Sequence, residues 1–157
     1  PSVLAYAELA GFELLPETVT LDLYGTPAVL LHGDTLCTDD LEYQAMRTQT
    51  RNPAWQRRVL SMSVQERIDM ARSARDASMA HTGSTAADIM DVNQQAVLDV
   101  FAASGARLMI HGHTHRPASH DVPLEDGTIA QRIVLADWYD HGSYLEVTPG
   151  DIRSRTL

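Results

Sequence analysis

Two short apolar runs, far apart in the chain, end in the same dipeptide. "AVLLHG" closes on His32-Gly33, and "RLMIHGHTHRP" passes through His111-Gly112 before stopping at Pro117. Each run is too short for a stable helix and is rich in Val, Leu and Ile. Bounded by Gly or Pro, such runs are the pattern of strands buried on both faces, as in a sheet covered by helices. From Asp39 to about Ser104 the periodicity turns helical instead. The order of strands, helical block and strands predicts an α/β or α+β layered domain, residues 1–157, with a helical insertion over about 39–88.

Local signals fill in the elements. Val3, Leu4, Ala7 and Ala10 fall at helical spacing with Ser2 as cap and Gly11 as stop. "TVTLDLYG" and "AVLLHG" read as paired strands, with Gly25-Thr26-Pro27 as their turn. Ser63 and Glu66 make a capping box ahead of Ile68, Ala71 and Ala74. Asp91 or Asn93 caps a further helix with Val97, Val100 and Phe101 on one face, closed by Gly105. "ARLMIHG" and "QRIVLADWY" are expected to be strands, and "SYLEVT" a final strand at the domain's edge. "RDASMAHTGSTAAD", small and polar, reads as a mobile loop.

Composition removes several functions. A net charge of -9 with mixed signs along the chain makes nucleic acid a poor partner. A 44% apolar content supports a packed globular domain. No apolar stretch approaches the ~20 residues of a spanning helix, and no basic-then-apolar leader opens the chain. The single cysteine, Cys37, provides no internal disulfide and fits a reducing cytoplasm. With no initiator Met and a start directly in a helix, an N-terminal truncation is expected.

Chemistry gathers at the strand ends. Loops leaving the carboxyl ends of strands collect ligands in α/β folds, because the strand fixes position while the loop supplies the functional group. His32 follows one run; His111, His113 and His115 follow the other. In an extended segment His113 and His115 would point to one side, with Gly112 allowing close approach, which suits a metal ion held by imidazole nitrogens at about 2.0–2.1 Å. Either motif alone could be a core or surface histidine. Two of them, both at strand ends, favour the metal. His111, nearest the strand, reads as a structural or outer-sphere hydrogen-bonding residue.

"LHGDTLCTDDLEYQAMRTQTRNPAWQ", "IMDVN", "IHGHTHRPASH" and "RIVLADWYDHGS", in this order and spacing, resemble the UDP-2,3-diacylglucosamine diphosphatase family of lipid A biosynthesis. That family belongs to the calcineurin-like metallophosphoesterases, and the resemblance runs from about Leu9 to Ser143. It implies a β-sandwich flanked by helices, a helical lid over the insertion, and a site of two Mn²⁺ ions with His32, His113 and His115 as ligands. It assigns no catalytic side chain beyond the metal ligands. The family's early Asp-x-His, Gly-Asp and Gly-Asn motifs have no counterpart in this sequence, so three imidazoles would hold fewer ions than the complete site.

The implied reaction is hydrolysis of the pyrophosphate of UDP-2,3-diacylglucosamine to UMP and lipid X. Asp40, Tyr43, Arg75, Ser78 and His113 match substrate-contact positions, and Asp34 is read as an orienting residue. Asp40 could equally cap a helix, and Arg75 could pair with Asp76 or Glu66. Where relatives carry Asn and Lys, this chain has Thr82 and Thr85, so its phosphate recognition there differs. Trp55, Val59, Leu60, Met62, Ile68, Met70 and Met79 are candidates for an acyl cleft or simply for core. Arg47, Arg51, Arg57, Arg58 and Trp55 suit a peripheral contact with the cytoplasmic face of the bacterial inner membrane, or a solvated face. The alternatives are another metallophosphoesterase, such as a nuclease or nucleotide phosphodiesterase, and a catalytically incomplete metal-binding fragment.

Overall fold

The computed structural model describes residues 3–84, 86 and 89–157; the expected cap Ser2, together with Thr85 and the side chain of Thr82, lies outside what is described. The chain is a mixed α/β protein that divides into two compact units, 1–34 with 98–157, and 35–97.

In the first unit, helix α1 (Val3–Ala10) ends where Gly11 takes φ +72° and the Phe12 N–H donates to Ala7 O at 3.1 Å. This left-handed closure satisfies an end carbonyl of the helix. Strands β1 (Thr18–Leu23) and β2 (Thr26–Leu31) form an antiparallel hairpin. Its turn is Tyr24-Gly25, at φ +55° and +89°, rather than the expected Gly25-Thr26-Pro27. A two-residue turn matching the strand twist needs positive φ at both positions, and Asp22 Oδ1 fixes it by accepting from Gly25 N at 2.7 Å. Thr26 and Pro27 already belong to β2.

Strands β3 (Leu108–His111), β4 (Ala118–Pro123) and β5 (Ile129–Val134) complete a five-stranded sheet ordered β1-β2-β3-β5-β4. The three inner strands β2, β3 and β5 are parallel and both edges antiparallel. One face of the sheet packs Ala28, Leu108, Ile110 and Ile133 against Leu145 and Ile152. Val29 and Met109, on the other face, are equally buried. Burial on both sides is why the β2 and β3 runs are continuously apolar.

Leu145 and Ile152 lie on a separate hairpin of β6 (Ser143–Thr148) and β7 (Asp151–Thr156). The expected final strand is therefore followed by another, and β5 stops at Val134 instead of running through "ADWY".

In the second unit, α2 (Leu41–Thr50), α3 (Pro53–Ser61) and α4 (Val64–Ser84) follow a 3₁₀ turn at Asp34–Leu36. Asp40 caps α2 by accepting from Tyr43 N at 2.9 Å, and Asn52 caps α3 ahead of Pro53. The Ser63–Glu66 capping box is formed, with Ser63 N donating to Glu66 Oε2 at 2.8 Å and Glu66 N to Ser63 Oγ at 3.3 Å. The Ser63 hydroxyl, donating to Glu66 Oε2 at 2.7 Å, and then the Ser63 N–H hold the Glu66 carboxyl below its ordinary value.

Helix α4 runs to Ser84, so the stretch from Arg75 to Ser84 is helix where a loop was expected. Its alanines, Arg75 and Met79 are good helix formers, and they outweigh the polar residues among them. Asn93, not Asp91, caps α5 (Gln94–Ser104), accepting from Gln95 N at 2.9 Å. Its amide also donates to both oxygens of Asp39 at 3.0 Å, tying the end of the helical block to its beginning. No helix among the described residues is long and apolar enough to cross a membrane.

Candidate functional site

Three parallel strands deliver their carboxyl ends to one edge of the sheet. β2 leads into His32, β3 ends at His111 and leads into His113 and His115, and β5 leads into Asp137 and Tyr139. Backbone bonds lock these exits together: Gly112 N donates to His32 O at 3.0 Å and Leu135 N to His111 O at 2.7 Å.

His32 and His113, from separate loops, meet with ring centroids 5.0 Å apart and planes inclined at 58°. Metal–nitrogen bonds of about 2.0–2.1 Å and the radius of the ring would place two imidazoles of one tetrahedral ion about 5 Å apart. The pair therefore has the spacing that one divalent cation requires. Asp34 stands behind it, its Oδ1 3.1 Å from His32 Nδ1. Asp34 is buried while the His32 side chain is 59% exposed. The two atoms are close enough for charge attraction without forming a hydrogen bond, so the carboxylate contributes negative potential at the back of the His32 ring.

His115 is oriented by other neighbours. Its Nδ1 lies 4.0 Å from Asp137 Oδ2, and its ring stands edge-on to Tyr139 at 6.2 Å. The extended segment expected for these histidines is not formed, since His113 and His115 have φ +64° and +51°. In that left-handed backbone, residues two apart no longer share a side. Among the described residues no group of three or more His, Cys, Asp or Glu is gathered as a metal site would be. What the described residues bring together is thus a pair of imidazoles backed by a carboxylate.

His111 is almost wholly buried, at 1% exposure, and so is Arg132, at 5%. Arg132 Nη1 lies 3.0 Å from His111 Nε2, and His111 Nδ1 lies 2.9 Å from Gly112 O. Gly33 has φ +109°, and a Cβ there would come within 2.7 Å of His111 Nδ1. Sequence reasoning singled out His111 but passed over Arg132 and Asp137, although both stand in the quoted "RIVLADWYDHGS". Only the pairing of β3 with β5 makes neighbours of them.

The remaining candidates lie in the second unit. Asp40 is buried at the start of α2 and joined to Tyr43 by the capping bond. Arg75 and Ser78 are exposed on α4, three residues apart and therefore on adjoining positions of one helix face.

The fold and these loops define a class: a mixed α/β domain with imidazoles from two neighbouring strand ends 5.0 Å apart. Within that class the chain is related to the UDP-2,3-diacylglucosamine hydrolases. It is 45% identical to the one from Stenotrophomonas maltophilia over 97% of its own length and 64% of that protein's. It is likewise 45% identical to the one from Cellvibrio japonicus over 92% of this chain and 60% of the relative, and 47% identical to that of Marinobacter nauticus over 88% and 57%. The chain thus spans about three fifths of the length of the relatives it matches. No family model matches it.

Proposed function

We propose that this chain is the histidine-bearing part of a metal-dependent hydrolase that cleaves the pyrophosphate of UDP-2,3-diacylglucosamine, releasing UMP and lipid X for lipid A biosynthesis. The meeting of His32 and His113 carries the reading, and the named substrate of the relatives supplies its specificity. The fold proposed for the whole protein is a metallophosphoesterase sandwich, with residues 39–88 as its helical lid.

His32, His113 and His115 would hold the metal, Mn²⁺ in this proposal, with two ions in the complete site and fewer on these imidazoles alone. When bound, such cations supply Lewis acidity to phosphoryl oxygens and a nucleophile at neutral pH. Asp34, with its Oδ1 3.1 Å from His32 Nδ1, would orient His32 through its negative charge. Arg75 is the one cation among the proposed substrate contacts and suits a phosphate oxygen through charge-assisted hydrogen bonds. Asp40, Tyr43 and Ser78 present carboxylate and hydroxyl groups to the sugar, and His113 contacts substrate as well as metal. A diacylated substrate resides in a bilayer, so the protein would work as a peripheral enzyme on the cytoplasmic face, with Arg47, Arg51, Arg57, Arg58 and Trp55 as its contact.

A second reading is that the chain by itself is a catalytically incomplete metal-binding fragment; the pairing of His32 with His113, without a third ligating side chain gathered among the described residues, is compatible with it. Assay of the whole protein decides. UMP should be released from UDP-2,3-diacylglucosamine in a Mn²⁺-dependent manner, and His113→Ala should abolish turnover and lower metal content. Faster cleavage of bis-p-nitrophenyl phosphate than of the lipid, or an unaltered rate in His113→Ala, would overturn the proposal.

A further inference from the structure

Arg132 has no place in the proposed chemistry, yet it is a cation buried at 5% exposure directly behind the histidine loops. Burying a guanidinium is costly, and an apolar residue of similar volume would commonly stabilise such a position as well or better. Its presence therefore points to orientation rather than stability.

The hydrogen-bond directions are fixed by chemistry. Arginine has donors only, so Arg132 Nη1 must donate to His111 Nε2, 3.0 Å away. A carbonyl can only accept, so His111 Nδ1 must donate to Gly112 O at 2.9 Å. Both bonds require the same species, the neutral imidazole with its proton on Nδ1. Arg132 thereby selects the one tautomer of His111 that can hold the Gly112 carbonyl.

That carbonyl is a junction. It also accepts from Thr114 N at 2.8 Å, closing a three-residue turn around His113. His113 sits at its centre with φ +64°, the hand of γ-turn that is rare and strained for an L-residue. The Gly112 N–H, on the preceding peptide, donates to His32 O at 3.0 Å. His111 is therefore wedged against both histidine loops, against Gly33 after His32 and against Gly112 before His113.

We infer that Arg132 is a positioning residue: acting through the tautomer of His111, it holds the strained turn that aims His113 at His32. The inference rests on the reading of those two rings as metal ligands.

The test uses the whole protein with Arg132→Met, which removes the donor at similar volume, and Arg132→Lys, which keeps a donor of different reach. Two quantities are read: Mn²⁺ affinity of the metal-free protein by calorimetry, and the ring nitrogen signals of His111 by ¹⁵N NMR. The wild type should show His111 protonated on Nδ1 alone. Arg132→Met should lose that signature and bind Mn²⁺ about tenfold or more weakly, the size typical of losing an outer-sphere partner. In Arg132→Lys the affinity should follow the signature, both kept where the ammonium reaches His111 Nε2 and both lost where it does not.

An Arg132→Met protein with unchanged affinity or an unchanged tautomer overturns the inference. If that variant does not fold, Arg132→Lys decides: affinity kept or lost together with the Nδ1-only signature supports the inference, whereas weakened binding with the signature retained, or full affinity with a tautomer mixture, counts against it. A wild type that takes up no divalent ion removes the metal reading, and the nitrogen signals then judge the relay by themselves.

Discussion

Gly33 shows how tightly single residues are specified around the strand ends. Its φ of +109° excludes other residues without strain, and an added Cβ would stand 2.7 Å from His111 Nδ1 and 3.1 Å from Gly112 O. Neither neighbour can yield freely, because each is held by the Arg132–His111–Gly112 chain of bonds. Gly33→Ala should destabilise the protein by about 1–3 kcal/mol, the cost of a side chain forced into a disfavoured backbone conformation. Thermal unfolding measures it, and a melting point equal to the wild type's would show that the loops are looser than described. The histidines themselves were legible in the sequence because they end apolar runs. Arg132 was not, since nothing local marks its side chain as buried against a residue 21 positions earlier.

At the scale of elements, the parallel strands were the easiest to read. Burial on both faces writes an unbroken apolar run, as in Leu108–His111, where every residue is buried. β4 and β7 escaped for the opposite reason: most of their residues are exposed, and neither "ASHDVP" nor "DIRSRT" alternates. The hairpin turn was misplaced by one residue because Pro27 looks like a turn former, whereas the edge of β2 accommodates it. Helix starts were well marked by their caps. α2 also allows two proposed roles for Asp40 to be separated, since asparagine caps a helix about as well as aspartate. Asp40→Asn should leave unfolding unchanged but weaken substrate binding, seen as a raised KM. An unaltered KM would leave Asp40 as a cap and nothing more.

For the whole molecule, sequence periodicity supports a mixed α/β fold and strand-end histidines, and no more than that. The proposed substrate came from resemblance, because a pyrophosphate linked to a diacylated sugar has no signature in hydrophobic pattern or charge. The division into two compact units was only partly visible, as a helical block between strand runs; the structure places its limits at 35 and 97. The left-handed backbone at His113 and His115 could not be foreseen, since glycine and asparagine, the residues that usually announce positive φ, occupy neither position. That backbone turns the two histidines toward different neighbours and makes the pairing of His32 with His113 the pivotal contact.

That contact can be examined directly by anomalous diffraction at the manganese edge from crystals of the whole protein grown with Mn²⁺. A peak is expected within bonding distance of ring nitrogens of both His32 and His113. Manganese peaks of which none lies within bonding distance of both rings would contradict this expectation.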